Sequence, residues 1–127
     1  MKLRPYLSVD DTPFSATWEE VRHAFGKPNR TCRNAVGLNE LDYDDVVFRF
    51  QDNGRLEEVT RQARTVEFGT LVVPFGALES FVRAHDPLAF ERAGFLVSPK
   101  YGLAFDPRSP AWVTALAAHC IDTWRAL

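Results

Sequence analysis

The chain has little cysteine, little histidine and no long apolar run. Two cysteines in 127 residues cannot build a disulfide framework or a four-thiolate zinc site. Cys32 and Cys120 stand far apart, and both are expected to be free thiols. The three histidines, His23, His85 and His119, are scattered rather than grouped at metal-ligand spacing. No stretch approaches the ~18 apolar residues of a membrane span. The opening MKLRPYLSVDD lacks the apolar core of a signal peptide. A cytoplasmic protein with no membrane partner is therefore expected. The glycines fall singly, and no phosphate loop, dinucleotide fingerprint, nucleophile elbow or zinc-protease motif is present. These absences argue against an enzyme, and no cofactor or resident metal is expected.

What the chain does have is apolar mass. Hydrophobic residues make up 46% and aromatics 13%, with ten phenylalanines. A chain of this length with that many rings can bury a core without disulfides or metal. One α+β domain spanning 1–127 is expected, with a mainly antiparallel sheet and about four helices.

The element reading follows from caps, turns and periodicity. Thr17 with Glu20 is a capping box for a helix over 18–25, stopped by Gly26 and Pro28. Residues 40–51 read as one extended segment, turning at Asp52-Asn53-Gly54 and returning over 55–64. A three-residue loop with Gly54 left-handed sets Phe50 opposite Leu56 and Arg49 opposite Glu57. Further strands are expected over 64–68 and 70–73, then a helix over 75–84. Asp86-Pro87 and Ser109-Pro110 both read as a cap followed by Pro. They predict a short helix over 87–93 and a long one over 110–125, with strands over 95–97 and 103–105 between them. Trp18, Phe25, Phe48, Phe50, Phe81, Val113, Leu116 and Trp124 are the expected core.

Formal net charge is −2, but it is unevenly spread. Residues 39–58 carry seven acidic side chains and two arginines. So acidic a stretch is unsuited to a phosphate backbone, and nucleic acid is not an expected partner. Within it Glu40, Asp42, Asp44 and Asp45 crowd together around Tyr43. Three readings fit: a solvated hairpin edge, a surface for a basic partner, and a divalent-cation site. The last lacks the glycine and the terminal bidentate glutamate of a calcium loop. Tyr101, in a Pro-Lys-Tyr-Gly turn, reads as a core-packing aromatic or as an exposed interface anchor. His119 and Cys120, adjacent on a predicted helix, would diverge by about 100°. A surface contact between His119 and Asp122 is the plainer expectation.

The stretch from FSATWEEVRHAFGKP through DYDDVVFRFQDNGRLEEVT resembles the SmpA/OmlA outer-membrane assembly lipoproteins and the repeat of β-lactamase inhibitor proteins. That resemblance implies a helix followed by a strand meander. The chain as a whole is similar in style to bacterial immunity proteins of polymorphic toxin systems. This likeness implies one-to-one binding of a cognate protein toxin, basic and nuclease-like. Glu40, Asp42, Tyr43, Asp44, Asp45 and Tyr101 are then the candidate contact residues. A small-ligand-binding domain with a pocket between sheet and helices is the alternative.

Overall fold

A computed structural model describes residues 1–127. Three short strands, β1 (Leu3–Arg4), β2 (Ser8–Val9) and β3 (Thr12–Pro13), form a small antiparallel sheet ahead of helix α1 (Trp18–Phe25). The capping box is made as the sequence predicts. Glu20 N–H donates to Thr17 Oγ1 at 3.1 Å, and Thr17 N–H donates to Glu20 Oε1 at 3.0 Å. Gly26 ends the helix at φ 80°, a conformation that glycine adopts without strain.

A meander follows: β4 (Arg30–Arg33), β5 (Asn39–Asp42), β6 (Val46–Phe50) and β7 (Leu56–Gln62). Next come a separate ribbon, β8 (Thr65–Phe68) with β9 (Leu71–Pro74), and helix α2 (Phe75–His85). The chain then returns through β10 (Phe90–Arg92), β11 (Phe95–Ser98), β12 (Leu103–Phe105) and β13 (Trp112–Leu116), and closes with helix α3 (Cys120–Arg125). The large sheet has eight strands in the order β10-β11-β12-β13-β7-β6-β5-β4, with every pairing antiparallel. The fold class is α+β, with three helices rather than four.

Four expectations are corrected. First, 40–51 is not one strand. Asp44 takes φ 71°, and Tyr43-Asp44-Asp45 turns β5 back onto β6, so the acidic run is a hairpin turn. Second, Asp86 opens no helix over 87–93. Its buried carboxylate ties loops together, accepting from Leu88 N–H, Ser98 Oγ and Lys100 N–H. The chain beyond it becomes β10, joined to β11 through Ala93-Gly94, both at positive φ, which is the geometry of a two-residue hairpin turn.

Third, the helix expected over 110–125 is helical only over Cys120–Arg125, and its first half is the strand β13. Trp-Val-Thr-Ala-Leu supplies β-branched and aromatic residues, and β13 slots between β12 and β7. The helical stripe was real burial assigned to the wrong period, since Val113 and Leu116 are buried on opposite faces of one strand. Fourth, Arg49 pairs with Glu58, not Glu57, although Phe50 does face Leu56 and Gly54 is left-handed at φ 88°. A bulge makes Glu57 the extra residue, and two successive side chains, Leu56 and Glu57, are buried.

The core lies on one face of the large sheet, called inner here. Leu41, Phe48, Phe50, Leu56, Val59, Val113, Leu103 and Phe105 are fully buried there, with Val21 of α1 and Leu78 and Val82 of α2 packed in. Trp18 meets Phe50 edge-on with centroids 5.4 Å apart. Of the expected core, Phe48, Phe50, Val113 and Leu116 are buried, while Trp18, Phe81 and Trp124 are half-buried. Phe25 is 44% exposed, because it sits in the last turn of α1 and lies over Tyr43 and Phe48 at the rim.

Candidate functional site

The alternation that buries the inner face sends a different set of residues outward. From β4 across to β13 the outer face carries Arg30 and Cys32, then Glu40 and Asp42, then Arg49, then Glu58 and Thr60, then Thr114. They form a ladder. Arg30 donates to Asp42 at 2.6 Å, and Cys32 Sγ donates to Glu40 at 3.2 Å. Arg49 Nε donates to Glu40 at 2.7 Å, and its Nη1 reaches Thr60 Oγ1 at 2.5 Å and Glu58 at 3.5 Å. Thr60 and Thr114 share a hydrogen bond at 2.8 Å. Beside this ladder lies a cleft of about 420 Å³, floored by Arg49, Glu58, Thr60 and Thr114 and walled by Phe95, Trp112 and Trp124.

Neighbouring carboxylates of the ladder are tuned in opposite directions. Burial pushes Glu58 above the usual carboxylate range, and Arg49 and the Trp124 indole only partly offset it. Burial also acts on Glu40, but Arg49, Cys32 and Asn34 outweigh it and hold Glu40 below that range. The Arg30 guanidinium and the Asp44 N–H hold Asp42 low.

The acidic run is largely occupied within the fold. Asp42 is 8% exposed and bound to Arg30. Glu40 is bound to Arg49. Asp44 accepts from the Asn29 amide, and Tyr43 donates its hydroxyl to Gly26 O at 2.9 Å. Only Asp44 and Asp45 project as exposed acids at the turn. Tyr101 is not with them. It follows β11 at the sheet end where β6 finishes, whereas the 43–45 turn lies where β6 begins, as the strand registers require. Half-buried, Tyr101 packs on Phe68 and Phe81 with centroids 4.8 and 5.2 Å away. The six residues proposed from sequence therefore do not form one patch.

A second cluster was missed. Because β13 ends at Leu116, His119 and Cys120 fall at the start of α3 rather than inside a long helix. Ala117 N–H donates to Glu57 O at 2.9 Å and brings this segment against the β7 bulge. Cys120 Sγ donates to Glu57 Oε2 at 2.7 Å, and His119 Nε2 meets the same oxygen. The expected divergence of His119 and Cys120 is thus wrong: both converge on one carboxylate. Glu57 Oε1 is buried without a hydrogen-bond partner. Arg55 stands 3.6 Å from it, beyond hydrogen-bond reach. Burial, then the Glu57 hydrogen bond, pushes the Cys120 thiol strongly upward. A nucleophilic cysteine is marked by the opposite shift, a depressed thiol pKa. Imidazole, thiol and carboxylate together are the donors a borderline-soft cation takes. No spacing in the sequence pointed to this cluster. The one usable signal was a glutamate pair, Glu57-Glu58, in a strand with a single exposed phase.

No helix is long and apolar enough to cross a membrane. Comparison with family models, curated proteins and solved structures finds no match to this chain.

Proposed function

We propose that this chain is a protein-binding domain of the immunity type, which neutralises a cognate toxin by one-to-one contact through the outer face of its large sheet. The observation that carries this reading is the ladder from Arg30 to Thr114, whose polar side chains are held by one another before any partner arrives. Pre-ordered side chains lose less entropy on docking. Trp112, 37% exposed, and the half-buried Trp124 stand beside the ladder. Tryptophan and arginine are the residues that most often anchor such interfaces. Asp44 and Asp45 at the strand ends add negative charge that steers a basic, nuclease-like toxin toward this surface.

The test is neutralisation of the product of the adjacent gene. Co-expression with that product restores growth, and the two proteins purify as a one-to-one complex. A Trp112→Ala variant keeps the fold and binds at least ~10-fold more weakly, the loss of a modest hot spot. Wild-type affinity in folded Trp112→Ala removes the outer face from the interface.

The cleft supports a second reading, a small-ligand-binding domain. Its volume of about 420 Å³ falls in the range of ligand sites, and aromatic walls over a polar floor suit a flat, hydrogen-bonding molecule. Quenching of tryptophan fluorescence by such a ligand, lost in Trp112→Ala, distinguishes this reading from toxin docking.

A further inference from the structure

We infer that Glu57, His119 and Cys120 form a binding site for a single zinc-class divalent cation, which fastens the start of α3 to the bulge of β7. One donor atom from each residue lies within 4.8 Å of the other two. Glu57 and Cys120 are each 4% exposed, whereas the His119 side chain is 31% exposed. The cluster is therefore enclosed on two sides and open to water on the third. Zinc sites of three protein ligands keep a fourth position for water, and nitrogen, oxygen and thiolate sulfur are ordinary zinc donors.

Two features separate this cluster from a chance contact. Glu57 Oε1 is buried and accepts no hydrogen bond, with Arg55 no nearer than 3.6 Å, so the fold leaves this buried carboxylate incompletely satisfied. His119 and Cys120 both aim at the other oxygen of that same group. Around zinc, bonds of about 2.0–2.3 Å place donors about 3.5 Å apart. The Cys120 Sγ and Glu57 Oε2 atoms are 2.7 Å apart, so loading spreads them by about 1 Å. The cation takes the place of the thiol proton: the S–H bond breaks, a zinc–thiolate bond forms, and the proton leaves to solvent. Glu57 and Arg55 keep their through-space pairing at the closed side. The site joins residues 62 positions apart, and through α3 it steadies Trp124, one wall of the cleft. It does not depend on the toxin reading.

The experiment is titration of chelator-treated protein with Co²⁺, then Zn²⁺. A one-to-one Co²⁺ complex is expected, with a thiolate-to-cobalt charge-transfer band and intense visible bands of tetrahedral coordination, both erased by Zn²⁺. Zn²⁺ is also expected to raise the melting temperature. Cys120→Ser abolishes the charge-transfer band. His119→Gln, a half-exposed position that leaves the fold intact, lowers affinity ~100-fold, at or beyond the ~10–100-fold cost of disturbing an outer-sphere partner. Cys32→Ser, at the exposed cysteine, leaves the charge-transfer band and the Co²⁺ stoichiometry unchanged. Absence of the band in the wild-type protein overturns the site, and so does a band that survives Cys120→Ser or is lost in Cys32→Ser.

Discussion

The two faces of the large sheet are made by the same strands and obey different rules. The inner face is largely apolar and covered by α1 and α2, with polar contacts only at its margins, where Arg61 pairs with Asp10 and Ser98 with Asp86. The outer face divides. Under α3 it is apolar, with Val97, Ala104 and Leu116 beneath Cys120 and Ile121. Toward β4 it is polar, and its charges are satisfied by one another. Apolar burial needs only the right phase along a strand. Polar burial needs a named partner for every group. One face therefore tolerates volume-conserving change, and the other depends on particular pairs.

The largest expected effect tests the inner face. Phe48→Ala removes a ring that is 1% exposed at its centre. The variant is expected to lose ~3–5 kcal/mol in urea unfolding, and Phe25→Ala, at the half-open rim, much less. Equal losses would mean that the rim packs as tightly as the centre. Next is the bulge. Replacing both His119 and Cys120 by Ala leaves Glu57 buried without a hydrogen-bond donor. A loss of ~3 kcal/mol is expected, as for a buried carboxylate stripped of its partners. A double variant that unfolds at the wild-type urea midpoint would show that Arg55 alone satisfies the carboxylate.

The difference between the faces also explains what could be read from the sequence. The inner face was legible at Phe48, Phe50 and Leu56, because period-two alternation around the Gly54 turn predicts it. The capping box at Thr17 was legible because its chemistry is local. The last segment was misread because Val113, Leu116, Ala117, Cys120 and Ile121 satisfy a helical stripe as well as they satisfy a strand and a short helix. What decides between these is the vacancy between β12 and β7, a tertiary fact that propensity cannot see. Glu57 was misplaced by one residue, since a bulge has no signature in Leu-Glu-Glu-Val. His119 and Cys120 were hidden by the helix expected over 110–125, since only the end of β13 at Leu116 brings them to Glu57. The acidic run was conspicuous in sequence, but its partners Arg30, Arg49 and Asn29 lie 12, 9 and 15 residues away, and only the strand register joins them.

Within the ladder, pH gives a sharper contrast at smaller amplitude. Glu40 and Glu58 both approach Arg49, yet folding lowers one pKa and raises the other. Glu40 contributes stability above the ordinary carboxylate range, and this is lost as pH falls through its lowered folded value. Glu58 has the opposite sign. Its charged form is penalised at neutral pH, and the penalty lifts as pH falls through its raised folded value. Glu40→Gln is expected to destabilise near neutrality, with the gap to wild type closing in acid. Glu58→Gln is expected to be more stable than wild type near neutrality, with that advantage vanishing in acid. Urea midpoints measured along a pH series read both signs, and a shared sign would break the assignment of burial to Glu58.

The smallest effect on stability belongs to the acidic turn and bears most directly on function. Asp44 and Asp45 are the only members of the run left exposed, and Asp44 makes its one side-chain bond to the Asn29 amide. Asparagine keeps the acceptor oxygen for that bond and tolerates the left-handed backbone at Asp44. An Asp44→Asn, Asp45→Asn double variant should therefore unfold within ~0.5 kcal/mol of wild type, as surface changes do. If the turn steers a basic toxin, the same variant associates more slowly, and its rate depends less on salt, while dissociation is unchanged. Stopped-flow association at two ionic strengths reads this. An unchanged rate with an intact fold reduces the turn to a solvated hairpin end and leaves the ladder and Trp112 as the whole docking surface. A slower rate with unchanged stability separates steering from folding, because these two carboxylates hold almost nothing else together.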